Sequence, residues 1–370
     1  MKIGIDARMY GPSHSGLGRY VQQLVEQLKM IDDENEYVIF LKREQFDSFS
    51  TPNSKWKKVL ADVHWYTVGE QILFPKIIKK EHVDLMHFPH WNVPLLYRKK
   101  FVVTIHDLIM FHFSRREATT HGPVIYFLKD MAHRFILKSA SRRAKHIFAT
   151  SEFTKNDIVE TLKVDSEKIS VTYQASSQNT ECQMSDVNVL KKFNIAKPYV
   201  LYVGNAYPHK NLGKLVSAWK LFSKENFACQ LVLAGKDSSF FQSIKVDVLA
   251  KECDDVIFTG FVTDKELNEL YDSAHLYVFP SLYEGFGLPP LEAIQHNVPV
   301  ISSNASCMPE VLGTGALYFD PENIEDIVHA LEEGTKNEEI RYTLRQNAKH
   351  ELKKYSWEKL AAQTHAEYTK

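Results

Sequence analysis

The chain has 370 residues, enough for two cores of ordinary domain size and too many for one. Hydrophobic residues at 44% and charged residues at 25% give a globular composition, which excludes a disordered or fibrous chain. A formal net charge of -1 excludes binding to nucleic acid through overall charge.

Cys182, Cys229, Cys253 and Cys307 share no CxxC spacing, so neither a structural zinc site nor a disulfide framework is expected, in keeping with a reducing, cytoplasmic setting. The opening MKIGIDARMYG places an acid and a glycine too early for a signal peptide. No apolar run reaches the ~18 residues of a membrane span.

Short apolar runs alternate with longer amphipathic stretches, the pattern of parallel sheets flanked by helices. Ile3–Ile5, Tyr37–Leu41, Leu85–Phe88, Phe101–Ile105, His146–Ala149 and Ile169–Tyr173 predict strands, with helices over Arg19–Leu28 and Val124–Ser139. Gly16 and Gly18 of SGLGRY form a loop before the first helix; it is either a phosphate-approaching loop or a plain glycine turn. Val21 occupies the third glycine position of the dinucleotide fingerprint, which therefore fails. His87 and His90 in MHFPHWNVP lack a carboxylate or third ligand at fixed spacing, so they are expected to line a cleft or pack in a turn. Trp91 and Tyr97 offer faces on which an acceptor sugar could stack. His106 and Asp107 follow a continuous apolar strand, placing them at its carboxyl end, where such folds bind ligands.

From Arg98 to Lys145 eleven Lys/Arg oppose three acids, with Tyr126, Phe127, Phe135, Ile136 and Leu137 interleaved. Two readings stand: a peripheral face toward anionic membrane, or a buried helix with a solvated basic edge. Ser151 has the chemistry of a helix N-cap. The polar stretch Gln174–Lys197 predicts a linker.

The pattern then restarts. Tyr199–Val203, Gln230–Ala234, Asp255–Phe258, Leu276–Phe279, Val298–Ser302 and Ala316–Phe319 predict strands, and Leu212–Ser223 a helix capped by Asn211. Thr263 or Asp264 is expected to cap the helix after FTGFVTDKEL. The expected domains are 1–180, 181–355 and a returning amphipathic segment 356–370. The most informative stretch is LYVFPSLYEGFGLPPLEAIQHN: a buried strand, a glycine loop and a helix starting near Leu288. Pro289 and Pro290 suit a first helical turn, and Gly285 and Gly287 let backbone approach a ligand. Glu284 precedes the loop, and Glu292, eight residues later, is expected in the first helical turn.

This E-x7-E segment, followed by VPVISS and SCMPEVLG, resembles that of retaining glycosyltransferase family 4. The resemblance implies an α/β GT-B fold, two doubly wound Rossmann-like domains facing a central cleft, with 356–370 packing back on the first. It implies that Glu284 contacts donor-sugar hydroxyls and Glu292 the ribose diol, for which a carboxylate offers two adjacent acceptor oxygens. Lys210, after Gly204, matches the lysine that neutralises the donor diphosphate. Asn205 stands where the family has arginine, which leaves His209 as a partial substitute. Phe261 and Val262 match the loop beside the nucleobase, and Gly285, Phe286, Gly287 and Leu288 the loop and helix start at the diphosphate. Gly16 and Gly18 would approach the donor from the first domain. His106 matches the active-site histidine near the donor sugar. The implied catalytic set is His106, Glu284 and Lys210.

The expected reaction is transfer of a hexose from a nucleoside diphosphate to a hydroxyl of a glycan or lipid-linked acceptor, with anomeric configuration retained. YVGNAYPHKN with EGFGLPPLE is most similar to bacterial mannosyltransferases of surface-polysaccharide assembly, so GDP-mannose is the first donor expected. No D-x-D occurs, so neither a metal nor another cofactor is expected. The alternatives are a sugar-nucleotide epimerase on the same fold, or a non-catalytic nucleotide-sugar-binding relative.

Overall fold

A computed structural model describes residues 1–11, 14–113, 123–176, 188–224 and 228–370. Cys182, Arg115, Arg116 and Glu117, the middle of the expected linker and the expected boundary at 180 lie outside them. The chain divides into two compact units. The first holds residues 1–112, 121–174 and Ser356–Lys370; the second holds residues 113–120 and Ala175–Tyr355.

The first unit is built on a parallel sheet of β1 (Lys2–Asp6), β2 (Glu36–Leu41), β3 (Trp56–Leu60), β4 (Leu85–Phe88), β5 (Phe101–Ile105), β6 (His146–Ala149) and β7 (Ile169–Val171). Their order is β3-β2-β1-β4-β5-β6-β7. Central strands are apolar on both faces because helices cover both, and every residue of β4 and β5 is buried. Strand β3 escapes the sequence pattern because WKKVL is an edge strand. Only Trp56 is buried, stacked on Tyr37 at 4.2 Å, while two lysines suit an unpaired edge. Strand β7 ends at Val171, two residues before the expected Tyr173. Helices Ser15–Ile31 and Pro123–Arg143 run longer than their apolar cores suggested.

The second unit carries β8 (Tyr199–Val203), β9 (Gln230–Ala234), β10 (Val256–Gly260), β11 (Leu276–Phe279), β12 (Val300–Ser303) and β13 (Ala316–Phe319). All pairings are parallel, in the order β10-β9-β8-β11-β12-β13. Strand β10 runs on to Gly260, two residues past its expected end, and β12 starts at Val300, two residues after its expected start. Trp219 and Phe222 of helix Leu212–Ser223 pack in one core with Leu331 of helix Ile324–Lys336.

Each sheet reverses its strand order once, at β1/β4 and at β8/β11. At such a point neighbouring connections leave on opposite faces, and the carboxyl ends of the two strands open a crevice for ligand.

The terminal helix Trp357–Thr369 belongs to the first unit. Ser356 caps it, Tyr368 is fully buried against His87, and His365 reaches Asp32 at 2.8 Å.

Candidate active site

In the second unit the residues flanking the strand reversal carry the chemistry. Strand β8 runs into Gly204 and a short turn, Pro208–Lys210; β11 runs into the loop that holds Glu284. Lys210 Nζ forms an ion pair with Glu284 Oε1, and only 12% and 11% of the two side chains are exposed. The loop around Glu284 is tied down on both sides. Its N–H donates to Ser306 Oγ at 3.1 Å, and its carbonyl accepts from Cys307 Sγ at 3.3 Å. Leu282 N–H donates to the carbonyl of buried His209 at 2.7 Å, locking the two loops together. Asn205 is held from below, its carbonyl accepting from Tyr202 Oη at 2.6 Å.

Gly287 caps the helix Leu288–Gln295 with φ of 88°, and no side chain caps that end. A β-carbon there would stand 2.5 Å from Met308 Cε, the far end of a flexible side chain, so it is the dihedral rather than the space that calls for glycine. Pro289 and Pro290 carry no N–H, which leaves Leu288 the one donor among the first three helical residues. An anion here therefore leans on Lys210 more than on helix amides. Gly285 and Phe286 are buried in the same loop. Glu292 falls in the second turn of the helix, not the first, since the helix begins at Leu288; its carboxylate accepts from Tyr271 Oη at 3.3 Å.

Phe261 and Val262 follow β10, two strands from β8, with Phe261 72% exposed. Thr263 caps the next helix in a reciprocal box with Glu266. Asn211 corrects its expected role. It occupies the N-cap position in a left-handed conformation, but its amide donates to Pro321 O at 2.7 Å instead of capping.

Burial pushes the phenols of Tyr202 and Tyr277 and the Cys307 thiol well above their usual range, and the nearby Glu284 charge adds to each. The groups beneath the loop thus stay neutral, and Lys210 answers the Glu284 charge. Ser306 and Tyr271 had escaped sequence reasoning. Ser306 lies within SCMPEVLG, whereas nothing local marks Tyr271, which only folding brings to Glu292.

In the first unit His106 stands at the end of β5. Its Nε2–H donates to Pro89 O at 2.9 Å, and its Nδ1 accepts from Gln174 Nε2 at 3.2 Å. Tyr20 packs edge-on at 4.6 Å. Burial lowers its pKa to about 4, so at neutral pH it is an uncharged imidazole in one tautomer. The loop expected at Gly16 and Gly18 is instead the first turn of the helix, which starts at Ser15; Gly18 is buried where a β-carbon would come within 2.0 Å of Gly11 O, whereas Gly16 is exposed. Ser151 caps its helix.

A depression opens beside the ends of β1 and β4, lined by Asp6, Arg8, Trp65, His90 and Asn92 among others. Buried Arg8 bridges Asp6 and Glu70, each at 2.7 Å, and Asn92 donates to Glu70 at 2.7 Å. His90 Nδ1 and Asn92 Oδ1 are buried without a hydrogen-bond partner. Sequence reasoning missed this cluster; the charged pair in IDAR, directly after a buried strand, was the available signal. His87 packs in the core between Tyr368 and Thr104. Tyr97 is buried against Phe88 and Phe101, so it is not available to stack on a sugar. Among the described residues no three His, Cys, Asp or Glu are grouped to hold a metal ion.

The profile described as Glycosyltransferase Family 4 matches residues 14–175, and that of Glycosyl transferases group 1 matches residues 189–351. The O-antigen chain mannosyltransferase RfbU of Salmonella typhimurium is 30% identical over 325 residues, covering 85% of each chain. This chain belongs to glycosyltransferase family 4. Gly16, Gly18 and His106 of the glycosyltransferase fall in the first matched region; Gly204, Lys210, Glu284 and Glu292 fall in the second. Sucrose-phosphate synthase from Thermosynechococcus elongatus superposes with a TM-score of 0.75 at 19% identity, covering 100% of this chain and 98% of its own. Anabaena HepE, solved with UDP and glucose, gives 0.72 at 16% identity, covering 100% and 99%. At such identities the likeness establishes the fold: the two units are the Rossmann-like halves of GT-B.

Proposed function

We propose that this glycosyltransferase moves mannose from GDP-mannose to a hydroxyl of a glycan or lipid-linked acceptor, retaining the anomeric configuration. The observation that carries the reading is the Lys210–Glu284 pair at the β8/β11 reversal, a cation and an acid side by side where folds of this kind bind ligand. The barrier is charge separation, as the bond from C1 to the leaving phosphate breaks ahead of the bond to the acceptor oxygen. Lys210 stabilises the diphosphate, Glu284 accepts from sugar hydroxyls, and Glu292 accepts from the ribose diol. The acceptor proton passes to the departing phosphate on the same face of the sugar. His106, neutral, positions the sugar by offering Nδ1 to a sugar hydroxyl in place of Gln174. Gly204, Asn205, His209, Gly285, Phe286, Gly287 and Leu288 shape the diphosphate site, Phe261 and Val262 flank the base, and Gly16 and Gly18 are the donor-binding residues of the first unit.

The choice of mannose follows RfbU, whose own name is that of an O-antigen mannosyltransferase. The unpartnered His90 and Asn92 atoms suit a hydroxyl-rich acceptor. We place the transfer at the cytoplasmic face of the membrane, where segment 98–145 meets the surface that carries a lipid-linked acceptor. No metal is assigned, because the sequence lacks D-x-D.

Thermal shift against GDP, UDP, ADP and their sugars tests the donor, with GDP and GDP-mannose expected to stabilise most. Transfer is then followed with and without EDTA, and the product anomer is read by NMR. Glu284→Gln and Lys210→Ala should each lower kcat/KM by about 100-fold or more. Donor turnover without acceptor would move the assignment to an epimerase, and full activity in both variants would remove the site. Activity lost in EDTA and restored by manganese would overturn the metal-free scheme.

A further inference from the structure

We infer that Tyr271 is a positioning residue for the donor: it holds the Glu292 carboxylate in one orientation, ready for the ribose diol, and so makes the site select a ribonucleotide. Its role deepens the proposed function and rests on the ribose contact given there to Glu292. Glu292 stands half-buried in the second turn of helix Leu288–Gln295. A glutamate side chain turns about several bonds, and freezing them when a ligand arrives costs affinity. A partner that fixes them beforehand removes that cost.

Tyr271 comes from helix Asp264–Ser273, which follows Phe261 and Val262. It is almost wholly buried. Its ring is wedged between two others: it stacks on His296 at 5.2 Å, 17° from parallel, and leans on Tyr277 of β11 at 5.9 Å. His296 is held in turn by Asp272, the residue next to Tyr271, with Nδ1 2.6 Å from Oδ1. His296 follows Glu292 by four residues, so the two share one face of their helix. Tyr271 thus grips that face at two points one turn apart, His296 by its ring and Glu292 by its hydroxyl.

The phenol has one proton and two acceptors in reach, Glu292 Oε2 at 3.3 Å and Pro289 O at 3.4 Å. A carboxylate is the stronger acceptor, so the proton turns to Glu292. At 3.3 Å the bond is long; it orients the carboxylate without using it up. The phenol fills one of about four lone-pair sites on the two oxygens, and a ligand hydroxyl can donate to another. A ribose hydroxyl then meets a carboxylate with no torsion left to freeze, whereas a deoxyribose position offers it nothing. Preference for ribose therefore follows how firmly Glu292 is held, and Tyr271 controls that.

Binding of GDP, 2′-deoxy-GDP and 3′-deoxy-GDP to the full chain is measured by calorimetry for wild type, Tyr271→Phe, His296→Ala and Glu292→Gln. Wild type is expected to prefer GDP over one or both deoxy nucleotides by at least about tenfold. Tyr271→Phe keeps the ring and removes the proton. It should weaken GDP about fivefold and leave the deoxy nucleotides unchanged, so the preference shrinks. His296→Ala, which loosens the ring, should shrink it as well and serves where Tyr271→Phe does not fold. A tyrosine that merely braces the fold would lower the urea midpoint and leave the preference at its wild-type value. That result overturns the proposal for Tyr271 alone, provided that Glu292→Gln has lost the preference. Wild type without a preference, or Glu292→Gln with the full one, instead removes the ribose role of Glu292 and the proposed reading of that acid. If thermal shift favours UDP or ADP, the same series is made in that base.

Discussion

Lys210 and Glu284 neutralise one another, and both are mostly shielded from water. On the proposed function, each is expected to exchange its partner for donor oxygens when diphosphate and sugar arrive, which keeps the carboxylate and ammonium preformed at little reorganisation cost. Gly287 is the residue on which this arrangement turns. Its φ of 88° would strain any side chain by roughly 1–2 kcal/mol, and the Met308 side chain would have to shift its end to make room. Gly287→Ala should therefore lower stability by about that strain and, on the proposed function, weaken donor binding. Urea unfolding together with a donor titration checks it, and a variant with wild-type values in both would contradict the geometry. The glycine and both acids were legible as residue types, because the loop sits between a buried strand and a proline-started helix. Ser306, Cys307 and Tyr271 were not, because their contacts with the acids depend on where separate segments meet.

At the scale of elements, the central strands were readable because burial on both faces leaves unbroken apolar runs. The exception, β3, shows the reason in reverse: its lysines belong to an edge, and an edge strand has no such run. The terminal helix is fastened to the first sheet by a buried chain in which Tyr368 meets His87, His87 meets Thr104, and Thr104 meets Tyr20. His87 is fully buried, and burial, with His106 adding to it, lowers its pKa to about 3. The unfolded chain holds the same imidazole near 6.5. Below about pH 6.5 the unfolded state therefore takes up a proton that the native state refuses. Stability is full above that pH and falls as pH drops toward 3, by about 1.4 kcal/mol per unit from this group. Urea unfolding between pH 7 and pH 5 should show a slope that His87→Gln makes shallower by about one proton. An unchanged slope in the variant would show that His87 is not the group responsible.

At the scale of the molecule, the first unit is discontinuous in sequence and the second nearly continuous. The second closes its own core within Ala175–Tyr355, and none of that core cluster comes from the first. Residues 175–355 expressed alone are thus expected to unfold cooperatively, whereas residues 1–174 lack the helix that buries Tyr368 against His87 and should be markedly less stable. Melting curves of the two fragments decide this, and a stable 1–174 fragment would contradict it. By itself the sequence determined the α/β class, the restart of the pattern near Tyr199, and the glycine loop with its two acids, because period and loop chemistry are local properties. Tertiary structure alone decided that Lys210 pairs with Glu284, that His106 is neutral, and that Tyr271 reaches Glu292. Those facts depend on strand order and on which surfaces lose water, and neither is written in any single segment.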